Sequence, residues 1–234
     1  MKRHFLLLAS VSLLATTTFC ACDKDDDKED NAATSTIPAG EYTIEVENGN
    51  KYNSNIDSVK LVIEHDDVVV YEVCSGQYAN GKVTLDFSKS VPDEYLNAFH
   101  DEELPDELAV FKNLKISNPS VKTGWMKLKA YKWNADYSRY VGNIYHGTDE
   151  QGGGSISSII SYANDDVTIT GSFKLEEMES DYKININYIY NVNLKKGWNI
   201  VYAKLPQIIT GIVPTVEVTT QAPAGAVWRY EEDY

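Results

Sequence analysis

Cysteine and histidine are scarce in this chain of 234 residues. Two of the three cysteines, Cys20 and Cys22, lie near the amino terminus, which leaves Cys74 alone in the rest of the chain. A single cysteine excludes a disulfide framework and a cysteine-based metal site there. The four histidines form no recognisable metal spacing such as His-Glu-x-x-His. We therefore expect a hydrophobic core to supply the stability, and we predict neither a metal nor a cofactor.

Motifs of nucleophilic and nucleotide chemistry are also missing. Gly153-Gly154-Ser155-Ile156-Ser157 approaches the Gly-x-Ser-x-Gly elbow but lacks its last glycine, and no helical pattern follows it. The glycine-rich residues 151–155 lack the Gly-Lys-Ser/Thr end of a phosphate-binding loop. Among 35 acidic residues, the sequence singles out no pair for glycoside hydrolysis. We accordingly predict that the protein is not an enzyme.

Positive charge is in deficit. The 21 basic residues face 35 acidic ones, for a formal net charge of −14 at pH 7. Such a surplus of negative charge repels phosphate backbones and anionic headgroups. We therefore exclude nucleic acid as a partner.

Only one long apolar run is present, and it lies at the amino terminus. Lys2 and Arg3 precede residues 5–15, which are apolar except for Ser10 and Ser12, and small residues follow. The run is too short to cross a bilayer as a helix, which needs about 20 residues. A basic start, a short apolar region and small residues before the cut are typical of a secretory signal. Residues 1–21 are predicted to be that signal peptide.

The expected cleavage site carries a more specific pattern. Phe19-Cys20-Ala21-Cys22 resembles a bacterial lipobox, with Cys22 as the acceptor because the small Ala21 precedes it. Residues 23–30, which begin Asp-Lys-Asp-Asp, resemble the surface-export signal of Bacteroidota lipoproteins. The resemblance implies a lipid on Cys22, attachment to the outer membrane and exposure at the cell surface. The alternative is an acidic, flexible spacer that faces the periplasm; in both cases residues 22–38 are a tether and linker.

Alternation of apolar and polar residues predicts strands in residues 39–118. Tyr42, Ile44 and Val46 alternate with polar residues, as do two later sets: Val59, Leu61 and Ile63, and Val83, Leu85 and Phe87. The dense run at residues 68–73 is typical of a strand covered on both faces. Gly-Lys-Val-Thr-Leu-Asp-Phe, residues 81–87, resembles the opening of prealbumin-like or Ig-like modules. That likeness implies a fold and no activity.

Residues 119–234 repeat the pattern. Alternation from Ile184 to Leu194, broken only by Ile189, predicts a long half-buried strand, and Trp198, Ile200 and Tyr202 are expected to return antiparallel to it. Residues 195–202 resemble segments of uncharacterised Bacteroidota lipoproteins, a likeness that implies kinship without an activity. We predict an all-β, antiparallel β-sandwich architecture of two β-sandwich-like modules, 39–118 and 119–234, with a boundary near Asn118 and Pro119.

Residues 88–118 interrupt the strands. Pro92, Asp93 and Glu94 are typical of a helix start, and one or two helical turns are expected to follow. The acidic residues 101–107 beside His100 lack the alternating ligands of an EF-hand, so we interpret them as a solvated loop and not as a divalent-cation site. Glu176, Glu177, Glu179 and Asp181 are interpreted in the same way, as a hairpin loop.

One stretch suggests binding. If Met126, Leu128 and Ala130 face the core, the alternating residues point outwards, because successive strand residues lie on opposite faces. The outward set would be Trp125, Lys127, Lys129, Tyr131 and Trp133. Exposed flat aromatic rings flanked by hydrogen-bonding groups suit the apolar faces and hydroxyls of sugars. The alternative is that both tryptophans belong to the core while the lysines extend along an edge.

A second motif is shorter. Asp57-Ser58-Val59 matches an O-glycosylation pattern of exported Bacteroidota proteins, and the alternative is an Asp-Ser turn before a strand.

Three functional classes remain for the whole chain. They are a surface glycan-binding accessory lipoprotein, a structural or adhesion subunit of a surface assembly, and an enzyme of unknown chemistry.

Overall fold

The computed structural model describes residues 35–98, 113–134, 137–149, 155–179, 182–206 and 213–233. They form an all-β fold, which confirms the predicted class. The strands are β1 Thr36–Ile37, β2 Glu41–Glu45, β3 Ser58–His65, β4 Val68–Ala79, β5 Lys82–Asp86, β6 Asn97–Ala98, β7 Lys115–Ile116, β8 Lys122–Asn134, β9 Tyr137–Asp149, β10 Ser155–Ala163, β11 Val167–Glu179, β12 Tyr182–Leu194, β13 Gly197–Leu205, β14 Thr215–Thr219 and β15 Val227–Glu232.

Helical structure among the described residues is limited to short 3-10 turns at Gly49–Tyr52 and Asp93–Tyr95. The helical segment predicted after Pro92 is thus a single turn, and Leu96 is already extended. In this part of the chain, no helix has the length and apolar character needed to cross a membrane.

The strands pair into one continuous sheet. Its order is β2-β5-β4-β3-β8-β9-β10-β13-β14-β12-β11-β7, while β1, β6 and β15 pair with β13, β8 and β9. The strand pairs are antiparallel except for β12 with β14. Because β3 pairs with β8, Asn118 and Pro119 lie between strands of the same sheet. The end of the predicted linker also joins it, since Ile37 in β1 is buried and pairs with Trp198.

Two hydrophobic clusters fill the fold. The first combines residues from before and after position 118, including Leu61, Leu85, Met126 and Trp228. The second lies under β11, β12 and β14 and includes Phe173. The strand β13 separates them, with Trp198, Ile200 and Tyr202 in the first cluster and Val201 and Ala203 in the second. The sheet therefore folds over so that β13 is covered on both faces.

This central position of β13 corrects one prediction. The long strand β12 alternates as expected, with Tyr188, Val192 and Leu194 buried, but β13 does not return along it. Among the described strands, β12 pairs with β11 and β14, whereas β13 pairs with β10, β14 and β1. Residues 198–203 are all buried, so β13 needs packing partners on both faces, and a position between the two clusters provides them.

The valine-rich start of β4 corrects a second prediction. Val68, Val69 and Val70 are 63%, 39% and 44% exposed, although the sequence predicted a strand covered on both faces. The β3–β4 hairpin turns at Asp66 and Asp67, which both have positive φ, and these valines follow the turn directly. Of the described strands, only β3 pairs with this part of β4. Burial begins at Tyr71, which is half-buried against the first cluster, and Val73 is buried in it.

Candidate functional site

The outward face of β8 is the predicted binding surface, and buried and outward residues alternate along this strand as predicted. Met126, Leu128 and Ala130 lie in the first cluster and are at most 3% exposed. The register pairs β8 with β3 on one side and with β9 on the other, so residues of three strands share this outward face. The fold thus brings Lys60 and Glu64 from β3 beside Lys127 and Lys129 from β8.

The two tryptophans of the prediction are not equivalent. Trp133 is 65% exposed, whereas Trp125 is half-buried and packs against the second cluster. Eight residues of extended strand separate them by about 26 Å. Near its start, β8 is covered on its outward side by the strands around the second cluster. The structure therefore corrects the expectation of two exposed tryptophans on one platform, since only Trp133 is open to a ligand.

The two lysines of the prediction share one carboxylate. Glu64 contacts Lys127 Nζ at 3.1 Å and also Lys129 Nζ, and its side chain is only 7% exposed. Burial favours a raised pKa for Glu64, but the hydrogen bonds from Lys129 and Lys127 outweigh it and keep the pKa below its ordinary value. The carboxylate is therefore ionised at neutral pH and holds Lys129 in place.

Lysine side chains also lie over the tyrosine rings of this face. Lys60 Nζ is 5.3 Å from the centre of the Tyr131 ring, and Lys129 Nζ is 4.2 Å from that of Tyr140. The two tyrosine rings meet edge to face with centres 6.2 Å apart. Each ring thus has a cation on one face, a favourable cation–π arrangement. The Trp133 ring stays exposed.

Asp57 fixes the backbone that carries Trp133. Its carboxylate accepts hydrogen bonds from the Trp133 backbone N–H at 2.7 Å and from Lys132 Nζ at 2.8 Å. Its own N–H donates to the Tyr131 carbonyl at 2.8 Å. The bond from Lys132, followed by that from Trp133, lowers the Asp57 pKa. Asp57 therefore lies directly before β3 and braces β8, and Ser58 is half-buried beside Tyr131. The O-glycosylation pattern and its Asp-Ser turn alternative both stay predictions.

A second exposed aromatic residue lies on the same hairpin. Tyr137, at the start of β9, is 57% exposed and pairs with Asn134, while Trp133 pairs with Ser138. Cross-strand partners share a face and successive residues alternate, so Trp133 and Tyr137 point to opposite sides. Trp133 belongs to the face of Tyr131, and Tyr137 does not.

Metal ligands, Cys74 and His146 are the other groups of the described residues that bear on catalysis or metal binding. No cluster of three or more His, Cys, Asp or Glu residues among the described residues is arranged to hold a metal ion. Burial raises the pKa of Cys74 to about 11, so its thiol is protonated at neutral pH. His146 is half-buried, and its Nδ1 lies 2.7 Å from the Tyr202 hydroxyl. His146 and Tyr202 thus pair with each other, and Tyr202 is buried in the first cluster.

The acidic segments have different outcomes. Residues 101–107 and His100 lie outside the described residues, so their interpretation as a solvated loop stays a prediction. Glu176, Glu177 and Glu179 belong to β11 and not to a hairpin loop, because β11 pairs with β12 as far as Tyr182. Asp181 is outside the described residues.

The sequence pattern missed the charged partners of the site. Glu64, Lys60 and Glu72 come from a hairpin about 65 residues before β8, and no local pattern links them to it. Comparison with known proteins adds no further residues. No known family model matches the chain, and neither curated proteins nor solved structures show a significant match. The likenesses to Ig-like modules and to lipoproteins stay predictions from short segments.

Proposed function

We propose that this chain is a lipid-anchored protein of the outer membrane, exposed at the cell surface, that binds a glycan and has no enzymatic activity. The lipobox-like residues 19–22 and the acidic residues that follow support the anchor. Two lipid chains on Cys22 would make the attachment stable. The exposed indole of Trp133 supports the binding function.

Cys22 is expected to carry the lipid. Cells that express the chain and are fed a radiolabelled fatty acid should incorporate the label into the protein and place the protein in the outer membrane. Cys22→Ser should remove the label, and Cys20→Ser should leave it, because Phe19 is a poor residue before a cleavage site. Label that persists in Cys22→Ser would contradict the anchor.

Trp133 is the observation that carries the glycan proposal. It combines a flat apolar surface, 65% exposed, with a backbone fixed by Asp57. Such a rigid ring can bury area against the apolar face of a sugar with little loss of conformational freedom. Tyr131 and Tyr140, which pair with each other on the same outward face, provide hydroxyls for the sugar's polar groups, while Lys127 and Lys129 lie farther along β8 and pair with Glu64. The proposed surface therefore has one stacking residue and a polar flank.

Substitution of Trp133 is expected to weaken this binding. A panel of polysaccharides and oligosaccharides, titrated into the full chain in a detergent without a sugar headgroup, identifies a ligand. Trp133→Ala should weaken the binding of that ligand about tenfold or more, because the buried apolar area is lost. Tyr137→Ala is the matched control, since it removes an exposed aromatic ring from the opposite side of the same hairpin. Equal effects of the two substitutions would contradict the assignment.

The alternative, a structural or adhesion subunit, has support from the exposed valines of β4. Val68, Val69 and Val70 lie on a strand that could pair through its edge with another chain. A panel without any glycan ligand, together with concentration-dependent association that Val69→Lys prevents, would favour this alternative over the glycan proposal.

A further inference from the structure

A second surface, formed by β11, β12 and β14, is rich in short uncharged polar side chains. The outward positions of these strands alternate with the buried residues of the second cluster. Many of these outward positions carry hydroxyl or amide groups: Thr168, Thr170, Ser172, Asn185, Asn187, Asn191, Asn193, Thr215 and Thr219. We call this set the amide–hydroxyl face. Among the outward positions whose side chains the structure describes, Lys174 and Glu217 are charged, and their charges are opposite.

The amide–hydroxyl face has a depression at its centre. It is a shallow depression open to solvent, with a volume of about 350 Å³, and is lined by Ser172, Phe173, Lys174, Asn187, Ile189 and Thr215. Ile189 is the residue that interrupts the polar alternation of β12, and it is 44% exposed. The register places Ser172 of β11 directly across from Ile189, and Thr215 of β14 across from Asn187. Ile189 therefore lies near the hydroxyl and amide groups of Ser172, Asn187 and Thr215. Its direct partner on β14 is Glu217.

We infer that this depression binds a neutral saccharide. Asn, Ser and Thr side chains each supply both donors and acceptors, which matches the hydroxyls of a sugar. Ile189 offers apolar contact for a ring face, and the volume is within the range of small-ligand sites. The opposite charges of Lys174 and Glu217 leave the depression without the net charge that would attract an ionic ligand. Short side chains also lose less rotamer entropy on binding than lysine or glutamate would.

This site is separate from the proposed Trp133 surface and does not depend on it. The neutral hexasaccharides cellohexaose and maltohexaose and the anionic hexamer of galacturonic acid are suitable probes. Each is titrated into the full chain, with calorimetry for affinity and nitrogen-15 NMR for the side-chain amide of Asn187. A neutral probe should shift the Asn187 signal and bind more tightly than the anionic hexamer.

Substitutions then separate the two surfaces. Asn187→Ala and Ile189→Ala alter partly exposed side chains and should each weaken the neutral probe about fivefold or more, with circular dichroism unchanged. Trp133→Ala should leave this binding as it is. The inference is overturned if no neutral probe binds at millimolar concentration or if the anionic hexamer binds more tightly. It is also overturned if Trp133→Ala removes the binding while Asn187→Ala and Ile189→Ala retain it.

Discussion

Gly142→Ala is expected to lower the free energy of unfolding by about 3 kcal/mol. Gly142 lies in β9 with φ of 152°, a conformation that L side chains rarely adopt. A Cβ atom at this position would lie 2.1 Å from the Glu231 carbonyl oxygen of β15. Because that oxygen belongs to the backbone, the substitution must displace β15. Trp228 and Tyr230 of β15 are buried in the first cluster, so the displacement would loosen the core.

Gly40→Ala is the matched control for this prediction. Gly40 also has a positive φ, 105°, but no heavy atom lies within 4 Å of the position of its Cβ. It therefore reports the conformational strain of alanine without the steric clash. Urea denaturation followed by tryptophan fluorescence should show the larger loss for Gly142→Ala. Equal losses of unfolding free energy for the two variants would mean that the close approach of β15 adds nothing to the cost of Gly142→Ala.

Glu64→Gln is expected to lower the free energy of unfolding by a similar amount, about 3 kcal/mol. The substitution removes the charge that offsets two ammonium groups, of which Lys129 is only 12% exposed. A buried cation without its partner is costly, because it has lost most of its hydration. Glu72→Gln is the control, since the Glu72–Lys60 pair, 2.7 Å apart, lies on the same sheet but is 41% and 32% exposed. Exposed pairs contribute about 1 kcal/mol or less. A loss no larger for Glu64→Gln than for Glu72→Gln would contradict the burial argument.

The ionisation of Glu64 also makes the free energy of unfolding depend on pH. The pKa of Glu64 in the folded protein lies below its ordinary value, which is about 4.3 in an unfolded chain. The unfolded state therefore binds a proton first as the pH falls. The contribution of Glu64 is complete above about pH 4.3 and is lost as the pH falls through the lower folded value. Glu64→Gln should reduce the loss of stability in that acidic range, as measured by urea denaturation at a series of pH values.

Alternation along a strand was enough to predict much of the fold. It put Met126, Leu128 and Ala130 on one face of β8 and gave the faces of β12, because both depend on the local period of two. It put Trp133 on the opposite face of β8 and left open which of the two faces is the core. These features are local, so a single stretch of sequence contains them.

The alternation could not show what covers each face. Trp125 and Trp133 have the same parity on β8, but the strands around the second cluster cover only Trp125. The run at residues 68–70 has the composition of a buried strand, yet it follows a hairpin turn and projects beyond the core. Glu64 meets Lys129 through a pairing of β3 with β8 that depends on the whole topology. Contacts between distant segments decided these cases.

Trp133 offers a direct test of the central claim because the four tryptophans differ in exposure. Trp198 and Trp228 are buried, Trp125 is half-buried, and Trp133 is 65% exposed. Acrylamide quenching of the tryptophan fluorescence therefore reports mainly on Trp133. Saturation with the glycan found in the panel should reduce the quenching of the wild-type protein to the level of Trp133→Ala, and should leave that variant unchanged. A glycan that binds while the quenching of the wild-type protein stays the same would contradict the claim that Trp133 is its binding residue.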